Sequence, residues 1–219
     1  MSNPQNKIFE SLSFDFSDLV FLYDCNYHNR NVASHDFDEG AALYKYSKAC
    51  KGNVLEIGRR WGGSTCPLLY GLYPNSTGRV LVSVDKLTRH ESFPKKVFNH
   101  SALKSSLELI EHDSKTFKTD KKFDLAFIDG YHKFVGVYND IINCWSMLNK
   151  GCIVIFHDAN IVTRPAKKWK NTKQSGAKDV KKVCDMLVNQ GIAVDHDIVG
   201  TMRIVKKVKE LGPSWKRTV

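Results

Sequence analysis

The chain has 219 residues, of which 42% are hydrophobic, 26% charged and 11% aromatic. This composition excludes a disordered chain, and six cysteines in a chain of this length exclude a disulfide scaffold. The formal net charge of +10 is compatible with a solvated basic face, and also with a nucleic acid, an acidic lipid surface or a phosphorylated substrate as partner.

Two features of the sequence bear on its location in the cell. No segment approaches the run of about 18 apolar residues that a membrane span requires, and the N-terminus lacks the basic leader and apolar core of a signal peptide. The cysteines form no C-x-x-C pair, and several fall in apolar segments, where a free cysteine behaves as a small hydrophobic residue. We therefore expect a cytoplasmic protein that does not bind membranes.

Short apolar segments alternate with amphipathic ones through most of the chain. Strands buried on both faces have this apolar character, which is typical of a parallel sheet covered by helices. The segments that predict strands are 53–57, 80–85, 107–113, 123–129 and 152–158. The segments that predict helices between them are 39–51, 64–73, 94–106 and 135–148.

The pattern changes after the fifth predicted strand. A basic segment, 161–175, leads to a predicted helix over 177–190. Two further predicted strands, 192–199 and 201–208, are separated only by Gly200, and so short a connection favours an antiparallel hairpin. The sequence therefore predicts one α/β domain with a mostly parallel seven-stranded sheet, a terminal antiparallel hairpin and helices on both faces.

The first glycine-rich segment, V-L-E-I-G-R-R-W-G-G-S-T, follows a predicted strand. In an open α/β sheet, ligands bind beyond the carboxyl ends of the strands, and glycines there allow the backbone to approach a ligand closely. The spacing G-x-x-x-G-G differs from the G-x-G-x-x-G of dinucleotide-binding proteins. Glu56, two residues before Gly58, can receive a cationic amino group, which favours a nucleotide that carries an amino acid over NAD.

The next two strand ends also carry polar residues. Asp85, 27 residues after Gly58, can accept hydrogen bonds from both hydroxyls of a ribose. His112, Asp113 and Ser114 end the third predicted strand and suit the polar edge of an adenine. Asp85 or Asp113 alone can also be a strand-end cap. The glycine turn follows a neighbouring predicted strand in the same way, and this favours a binding role for both acids.

These segments together resemble a class I S-adenosylmethionine-dependent methyltransferase, of the small O-methyltransferase branch that includes catechol-type and antibiotic or sugar O-methyltransferases. The resemblance runs from about residue 37 to residue 208, and its most specific strings are E-I-G-x-x-x-G-G-S-T and I-D-G-x-H-x-x-x-G-V. It implies a Rossmann-like methyltransferase domain over 37–219, with 1–36 as an N-terminal segment on the substrate side. It also implies that α-helical residues 35–48 lie over the cofactor pocket, with Glu39 facing it.

The resemblance assigns parts of S-adenosylmethionine to particular residues. Asp85, with Lys86 beside it, would hold the ribose, and Asp113 with Ser114 would meet the adenine. Asp129 would also border the cofactor. The methionine part would be surrounded by Glu56, Gly58, Gly62, Gly63 and Ser64.

The fourth and fifth strand ends carry the predicted reaction. In metal-dependent relatives, an acid in the position of Asp129 and two residues at the next strand end bind Mg²⁺, so Asp129, His157 and Asp158 are the predicted ligands. His157 stands where a carboxylate is usual, and imidazole suits Mn²⁺, Fe²⁺ or Zn²⁺ better than Mg²⁺. The alternatives are metal-free catalysis with His132 or His157 as general base, or histidines that only form hydrogen bonds in the cleft.

The predicted function is O-methylation of a hydroxyl group on a small molecule, with a divalent metal ion (Mg²⁺ or Mn²⁺) as a second cofactor. The basic segment 161–175 follows the predicted metal site and favours an anionic acceptor. A methyltransferase that modifies nucleic acid, and a cofactor-binding protein that has lost catalysis, are the alternatives. Assembly into a homo-oligomer is left open.

Overall fold

One seven-stranded sheet organises the chain in the computed structural model, which describes residues 16–20, 33, 35–75, 77–87, 92–160 and 173–216. The order of the strands across the sheet is β3-β2-β1-β4-β5-β7-β6. β1 to β5 run parallel, and β7 is antiparallel to both β5 and β6. The strands are β1 (Asn53–Ile57), β2 (Leu81–Asp85), β3 (Leu107–Glu111), β4 (Phe123–Ile128), β5 (Leu148–Phe156), β6 (Ala193–Val199) and β7 (Met202–Lys207).

The helices of the described residues cover this sheet. They are α1 (Phe37–Ala49), α2 (Thr65–Gly71), α3 (Ser92–Asn99), α4 (Ser101–Lys104), α5 (Phe134–Cys144) and α6 (Lys173–Asn189), with 3-10 turns at Phe16–Leu19 and Trp145–Met147. None of the helices in the described ranges is long and apolar enough to cross a membrane. The predicted fold, including the terminal hairpin, is confirmed.

Apolar side chains pack on both faces of the sheet. Because successive residues of a strand face opposite sides, Leu55 packs in the core beneath α5 and α6, whereas Val54 packs in the core beneath α1 and α2. Each buried aliphatic or aromatic side chain in these cores stabilises the fold by about 1.5–3 kcal/mol. The two cores hold the sheet rigidly, and its carboxyl edge is the platform on which the site is built.

Several predicted boundaries differ from the structure. The segment predicted as one helix over 94–106 is divided at His100, which has an extended backbone and accepts a hydrogen bond from the Ala102 amide at its Nδ1. The helix predicted over 177–190 begins earlier, at Lys173, inside the predicted basic loop. The rest of that loop, 161–172, lies outside the described residues. Of residues 1–36, only 16–20, 33, 35 and 36 are described, so the division at residue 37 stays a prediction.

Candidate active site

The residues predicted to bind ligands lie along one edge of the sheet, where the parallel strands end. The backbone hydrogen bonds of the sheet continue past the strands at this edge. The Asp129 amide donates to Ile57 O over 2.8 Å, and the His157 amide donates to Ile128 O over 3.2 Å. The tip of β4 therefore lies between those of β1 and β5, with Asp129 between Gly58 and His157.

The turn after β1 requires glycine at position 58. Gly58 has a φ of 91°, and a Cβ there would lie 2.2 Å from the carbonyl oxygen of Asp129. Gly62 has a φ of 88° and packs against α3, while Gly63 and Ser64 are buried as the chain enters α2. The turn thus lies directly against the tip of β4. Contacts of these residues with the methionine part of a cofactor stay predictions.

Glu56 is fully buried beneath this turn, and its carboxylate accepts three hydrogen bonds from hydroxyl groups. The donors are Ser64 Oγ over 2.6 Å, Thr65 Oγ1 over 2.7 Å and Ser83 Oγ over 2.5 Å. Burial raises the pKa of Glu56, although these hydroxyls and the charge of Arg59 oppose the rise. Ser64 occupies the N-cap position of α2, but its hydroxyl bonds to Glu56 and not to a helix amide. Glu56 therefore ties β1 to β2 and α2, and its predicted contact with an amino group stays a prediction.

Asp85 ends β2 beside the glycine turn. Its Oδ2 accepts a hydrogen bond from the Arg60 amide over 2.8 Å, and its Oδ1 accepts one from the Leu87 amide over 3.0 Å. Because a carboxylate oxygen has two acceptor positions, each oxygen retains one for a ribose hydroxyl. The adjacent Lys86 forms an ion pair with Asp113 over 3.0 Å, so the predicted ribose and adenine residues are neighbours at this edge.

A buried carboxylate that the sequence analysis did not single out lies behind the turn after β3. Asp140, on α5, is 3% exposed, and its Oδ1 accepts a hydrogen bond from Ser114 Oγ over 2.6 Å. Asn143, on the same helix, donates from Nδ2 to Ser114 O over 2.7 Å and to Phe117 O over 2.6 Å. Burial raises the pKa of Asp140 to about 6. Asp140 lies three residues after Val137, a buried apolar residue on the same face of the helix.

We expect Asp140→Asn to stabilise the fold more at pH 8 than at pH 5. A carboxyl group with a pKa of about 6 in the folded chain and about 3.9 in the unfolded chain binds more protons when folded, so its contribution to the free energy of unfolding falls as the pH rises through that window. The increase in the free energy of unfolding caused by Asp140→Asn should therefore be about 1.4 kcal/mol larger at pH 8 than at pH 5. Asp140 is mostly protonated at pH 5, because this pH lies one unit below its pKa of about 6. Urea unfolding of both proteins at both pH values measures this difference, and an equal gain at the two pH values would contradict it.

Asp129, at the tip of β4, binds two histidines through one oxygen. Asp129 Oδ1 is 2.7 Å from His132 Nε2 and 2.9 Å from His157 Nδ1. Asp158 Oδ2 lies 3.3 Å from His132 Nδ1 and 3.9 Å from His157 Nδ1. Asp158 has a φ of 55°, which is uncommon for a residue with a side chain and interrupts the alternation of the strand. The structure therefore brings all four predicted reaction residues into one cluster.

Glu39, on α1, lies behind His157. Its Oε2 is 3.6 Å from His157 Nε2 and accepts a hydrogen bond from the Asp36 amide over 2.8 Å. Its Oε1 accepts hydrogen bonds from the amide and the hydroxyl of Thr201, over 2.6 and 2.7 Å. Glu39 was predicted to face a cofactor pocket, and the structure places it against His157 and the turn between β6 and β7. This contact joins the start of α1 to the reaction cluster.

Neighbouring charges outweigh burial in setting the protonation of this cluster. Burial alone would raise the pKa of Asp129, but His157 and His132 lower it well below its usual range. Burial alone would lower the pKa of both histidines. Asp129 and Asp158 instead raise the pKa of His132 to about 9, and Asp129 and Glu39 raise that of His157 well above its usual value. At neutral pH the two imidazoles are therefore cations paired with carboxylates.

The cluster fits a divalent metal ion in both spacing and chemistry. One ligand atom from each of Asp129, His132 and His157 lies within 4.8 Å of the others. Ligands bound at about 2.1 Å to one ion are roughly 3 Å apart, so small adjustments would bring these atoms to an ion. The predicted ligand set included Asp158 and not His132. Asp158 Oδ2 lies 3.9 Å from His157 Nδ1, so it is also close to this group of atoms. Imidazole ligands would have to lose a proton on binding, and they favour Mn²⁺, Fe²⁺ or Zn²⁺ over Mg²⁺.

The chain matches the model of a family described as a methyltransferase domain over residues 55–159. That range begins inside β1 and ends after the tip of β5, so it includes the glycine turn, Asp85, Ser114 and the reaction cluster. No curated protein sequence matches the chain.

Solved structures share this fold at low sequence identity. The O-methyltransferase from Bacillus cereus in complex with SAH is 18% identical with a TM-score of 0.63, and the match covers 93% of this chain and 96% of that one. The SAH-bound methyltransferase PaMTH1 from Podospora anserina is 16% identical with a TM-score of 0.66 and 88% coverage of each chain. The O-methyltransferase TomG from Streptomyces achromogenes in complex with SAM is 15% identical with a TM-score of 0.62, covering 88% of this chain and 89% of that one. The chain thus matches a methyltransferase domain family over residues 55–159 and shares the fold of solved methyltransferases along most of its length.

Proposed function

We propose that the chain transfers a methyl group from S-adenosylmethionine to a hydroxyl oxygen of a small molecule. The observation that carries this proposal is the cluster of Asp129, His132, His157 and Asp158 directly beside the glycine turn. A hydroxyl group must lose its proton as it is methylated, and this cluster holds groups that can take one. The similarity to the O-methyltransferases of Bacillus cereus and Streptomyces achromogenes supports the same kind of acceptor.

The proposed cofactor site extends from the glycine turn to the turn after β3. Asp85 would accept the ribose hydroxyls, with Lys86 beside it, and Asp113 and Ser114 would contact the adenine. The methionine part would lie against Gly58, Gly62, Gly63 and Ser64, with Asp129 bordering the transferred methyl group. When bound, S-adenosylmethionine supplies an electrophilic methyl group on a sulfonium ion.

His132 is the histidine that an acceptor can reach. Its side chain is 29% exposed, whereas that of His157 is 5% exposed and enclosed by Asp129 and Glu39. The proposed step uses the neutral form of His132, whose population grows as the pH approaches its pKa of about 9. The acceptor oxygen gives its proton to this neutral imidazole and forms a bond to the methyl carbon as the carbon–sulfur bond breaks. Asp129 and Asp158 stabilise the imidazolium that forms, because both carboxylates face the His132 ring. His157 positions Asp129 for this role.

We further propose that Asp129, His157 and Asp158 hold a divalent metal ion, which leaves His132 to act as the base. Such an ion would lower the pKa of the acceptor hydroxyl as a Lewis acid. His157 is suited to a ligand role because Glu39 at Nε2 would orient its ring, which leaves Nδ1, beside Asp129, as the nitrogen that could bind the ion once deprotonated.

Chelation tests this metal role. Excess EDTA should lower the rate of methyl transfer roughly tenfold or more, since metal assistance is worth several kcal/mol. Mn²⁺ should restore the rate at least as well as Mg²⁺ because one ligand is an imidazole. The initial rate is measured after dialysis, with each ion added back in turn. Full activity in excess EDTA would reject the metal and leave His132 as a base without one.

The proposed acceptor is a small hydroxylated anion. The support is in the sequence, where Arg164, Lys167, Lys168, Lys170 and Lys173 follow the tip of β5. The test is to incubate the protein with S-adenosylmethionine and matched pairs of hydroxylated compounds, with and without a carboxylate or phosphate group, and to identify O-methyl products by mass spectrometry and NMR. His132→Gln provides the inactive control. SAH binding without any O-methyl product would contradict catalysis and favour a cofactor-binding protein.

A further inference from the structure

The turn after β3 is attached to α5 by two side chains that have no part in the proposed reaction. Asp140 accepts the hydrogen bond from Ser114 Oγ over 2.6 Å, and Asn143 donates to Ser114 O and Phe117 O over 2.7 and 2.6 Å. Asp140 is 3% exposed and Asn143 is 1% exposed. Two hydrogen bonds to nearly inaccessible side chains therefore fix the hydroxyl and the carbonyl of Ser114, and a third holds the carbonyl of Phe117.

The direction of the hydrogen bond between Ser114 and Asp140 has a chemical consequence. An ionised carboxylate can only accept, so the single hydroxyl proton of Ser114 is directed at Asp140. The pKa of Asp140, about 6, means that this carboxylate is mostly ionised at pH 8. Ser114 Oγ can then offer a ligand only its lone pairs.

In this turn, the carbonyl of Ser114 and the carboxylate of Asp113 also have partners. The carbonyl of Ser114 accepts from Asn143, and the carboxylate of Asp113 accepts from the Lys115 amide over 3.0 Å and pairs with Lys86 over 3.0 Å. Ser114 Oγ, in contrast, is a hydroxyl whose donor direction is set by Asp140 and whose acceptor capacity is unused.

We infer that Asp140 is a specificity-determining residue that makes Ser114 Oγ an acceptor and so selects a base with an amino group at position 6 over one with an oxo group. The inference rests on the proposed function, because it takes Ser114 to face the adenine. An amino group donates to Ser114 Oγ, whereas an oxo group would place two acceptors against each other. A site built to bind a donor discriminates strongly against an analogue that lacks it.

Calorimetric titration at pH 8 with two ligands, SAH and S-inosylhomocysteine, tests this inference. The wild-type protein should bind SAH at least about tenfold more tightly than S-inosylhomocysteine. In Asp140→Asn the new amide can donate to Ser114, which frees the Ser114 proton to point at the ligand. The preference should then fall to about threefold or less, with S-inosylhomocysteine binding more tightly than it does to the wild type.

Two further variants separate this role from a purely structural one. Ser114→Ala should also lose the preference, because SAH loses its acceptor and S-inosylhomocysteine no longer faces one. Asn143→Ala, the matched control, should loosen the turn and weaken both ligands equally, so that the preference is kept. The inference would be overturned if the wild type showed no preference for SAH over S-inosylhomocysteine, or if the preference persisted in Asp140→Asn. In both cases, binding of SAH would still support the proposed cofactor site. No binding of SAH by the wild type would overturn both.

Discussion

Gly58→Ala should abolish SAH binding and lower the free energy of unfolding by about 2–5 kcal/mol. Gly58 has a φ of 91°, which side-chain-bearing residues rarely adopt, and the new Cβ would lie 2.2 Å from Asp129 O and 2.8 Å from the Gly130 amide nitrogen. These are backbone atoms, so no side chain can rotate away. The turn after β1 or the tip of β4 must move, and both border the proposed cofactor site. Urea unfolding and calorimetric titration measure the two effects.

Gly78→Ala is the matched control for this prediction. Gly78 also has a positive φ, of 69°, but nothing lies within 4 Å of a Cβ built there. Its substitution should therefore cost only the backbone strain, about 1–2 kcal/mol, and leave SAH affinity unchanged. Equal losses of stability and equal SAH affinity in the two variants would contradict the contact between the glycine turn and β4.

Asp129→Asn should reduce the rate of methyl transfer on the order of 10³-fold. The substitution removes the negative charge that lies 2.7 Å from His132 and 2.9 Å from His157, and so leaves two buried or half-buried imidazoles without their shared counter-ion. It also removes a proposed metal ligand. The single-turnover rate at saturating S-adenosylmethionine measures the effect on chemistry, and SAH affinity measured in parallel separates it from cofactor binding.

Asp124→Asn is the control for Asp129→Asn, because Asp124 belongs to the same strand but to its opposite end. Its carboxylate accepts a hydrogen bond from Asn149 Nδ2 over 2.7 Å, away from the histidines. The rate should be unchanged in this variant. A fall of less than tenfold in Asp129→Asn, in a protein that remains folded, would remove Asp129 from the reacting centre.

The sheet was predictable because its strands are short, apolar and separated by amphipathic helices. The antiparallel pairing of β6 and β7 was equally predictable, since their connection is too short for a crossover. The break at His100 was not, because it depends on a side chain accepting a hydrogen bond from the helix that follows. A side chain that replaces a backbone carbonyl as hydrogen-bond acceptor does not change the spacing of apolar residues, so the pattern of hydrophobic residues does not show it.

The positions of the candidate site residues at the strand ends were predictable, but their connections were not. Asp129, His157 and Asp158 follow neighbouring strands, so the rule that ligands bind at strand ends brings them together. The contact of Glu39 with Thr201 joins residues 162 positions apart. The Ser64 hydroxyl, at the start of α2, donates to Glu56 and not to an amide of its own helix. Asp140 was missed because a carboxylate on a helix is usually solvated, and only the packing of α5 shows that this one is buried.

The measurement that tests the central claim most directly is a calorimetric titration with SAH of the wild-type protein, Asp85→Ala and Asp195→Ala. Asp85 is proposed to hold the ribose hydroxyls, whereas Asp195 is a strand acid on β6 that pairs with Arg203 at the far side of the sheet. The wild type and Asp195→Ala should bind SAH with the same affinity, and Asp85→Ala should bind it more weakly by about 1.5–3 kcal/mol. No binding by the wild type at millimolar SAH, or an unchanged affinity in a folded Asp85→Ala variant, would contradict a cofactor site at this edge of the sheet.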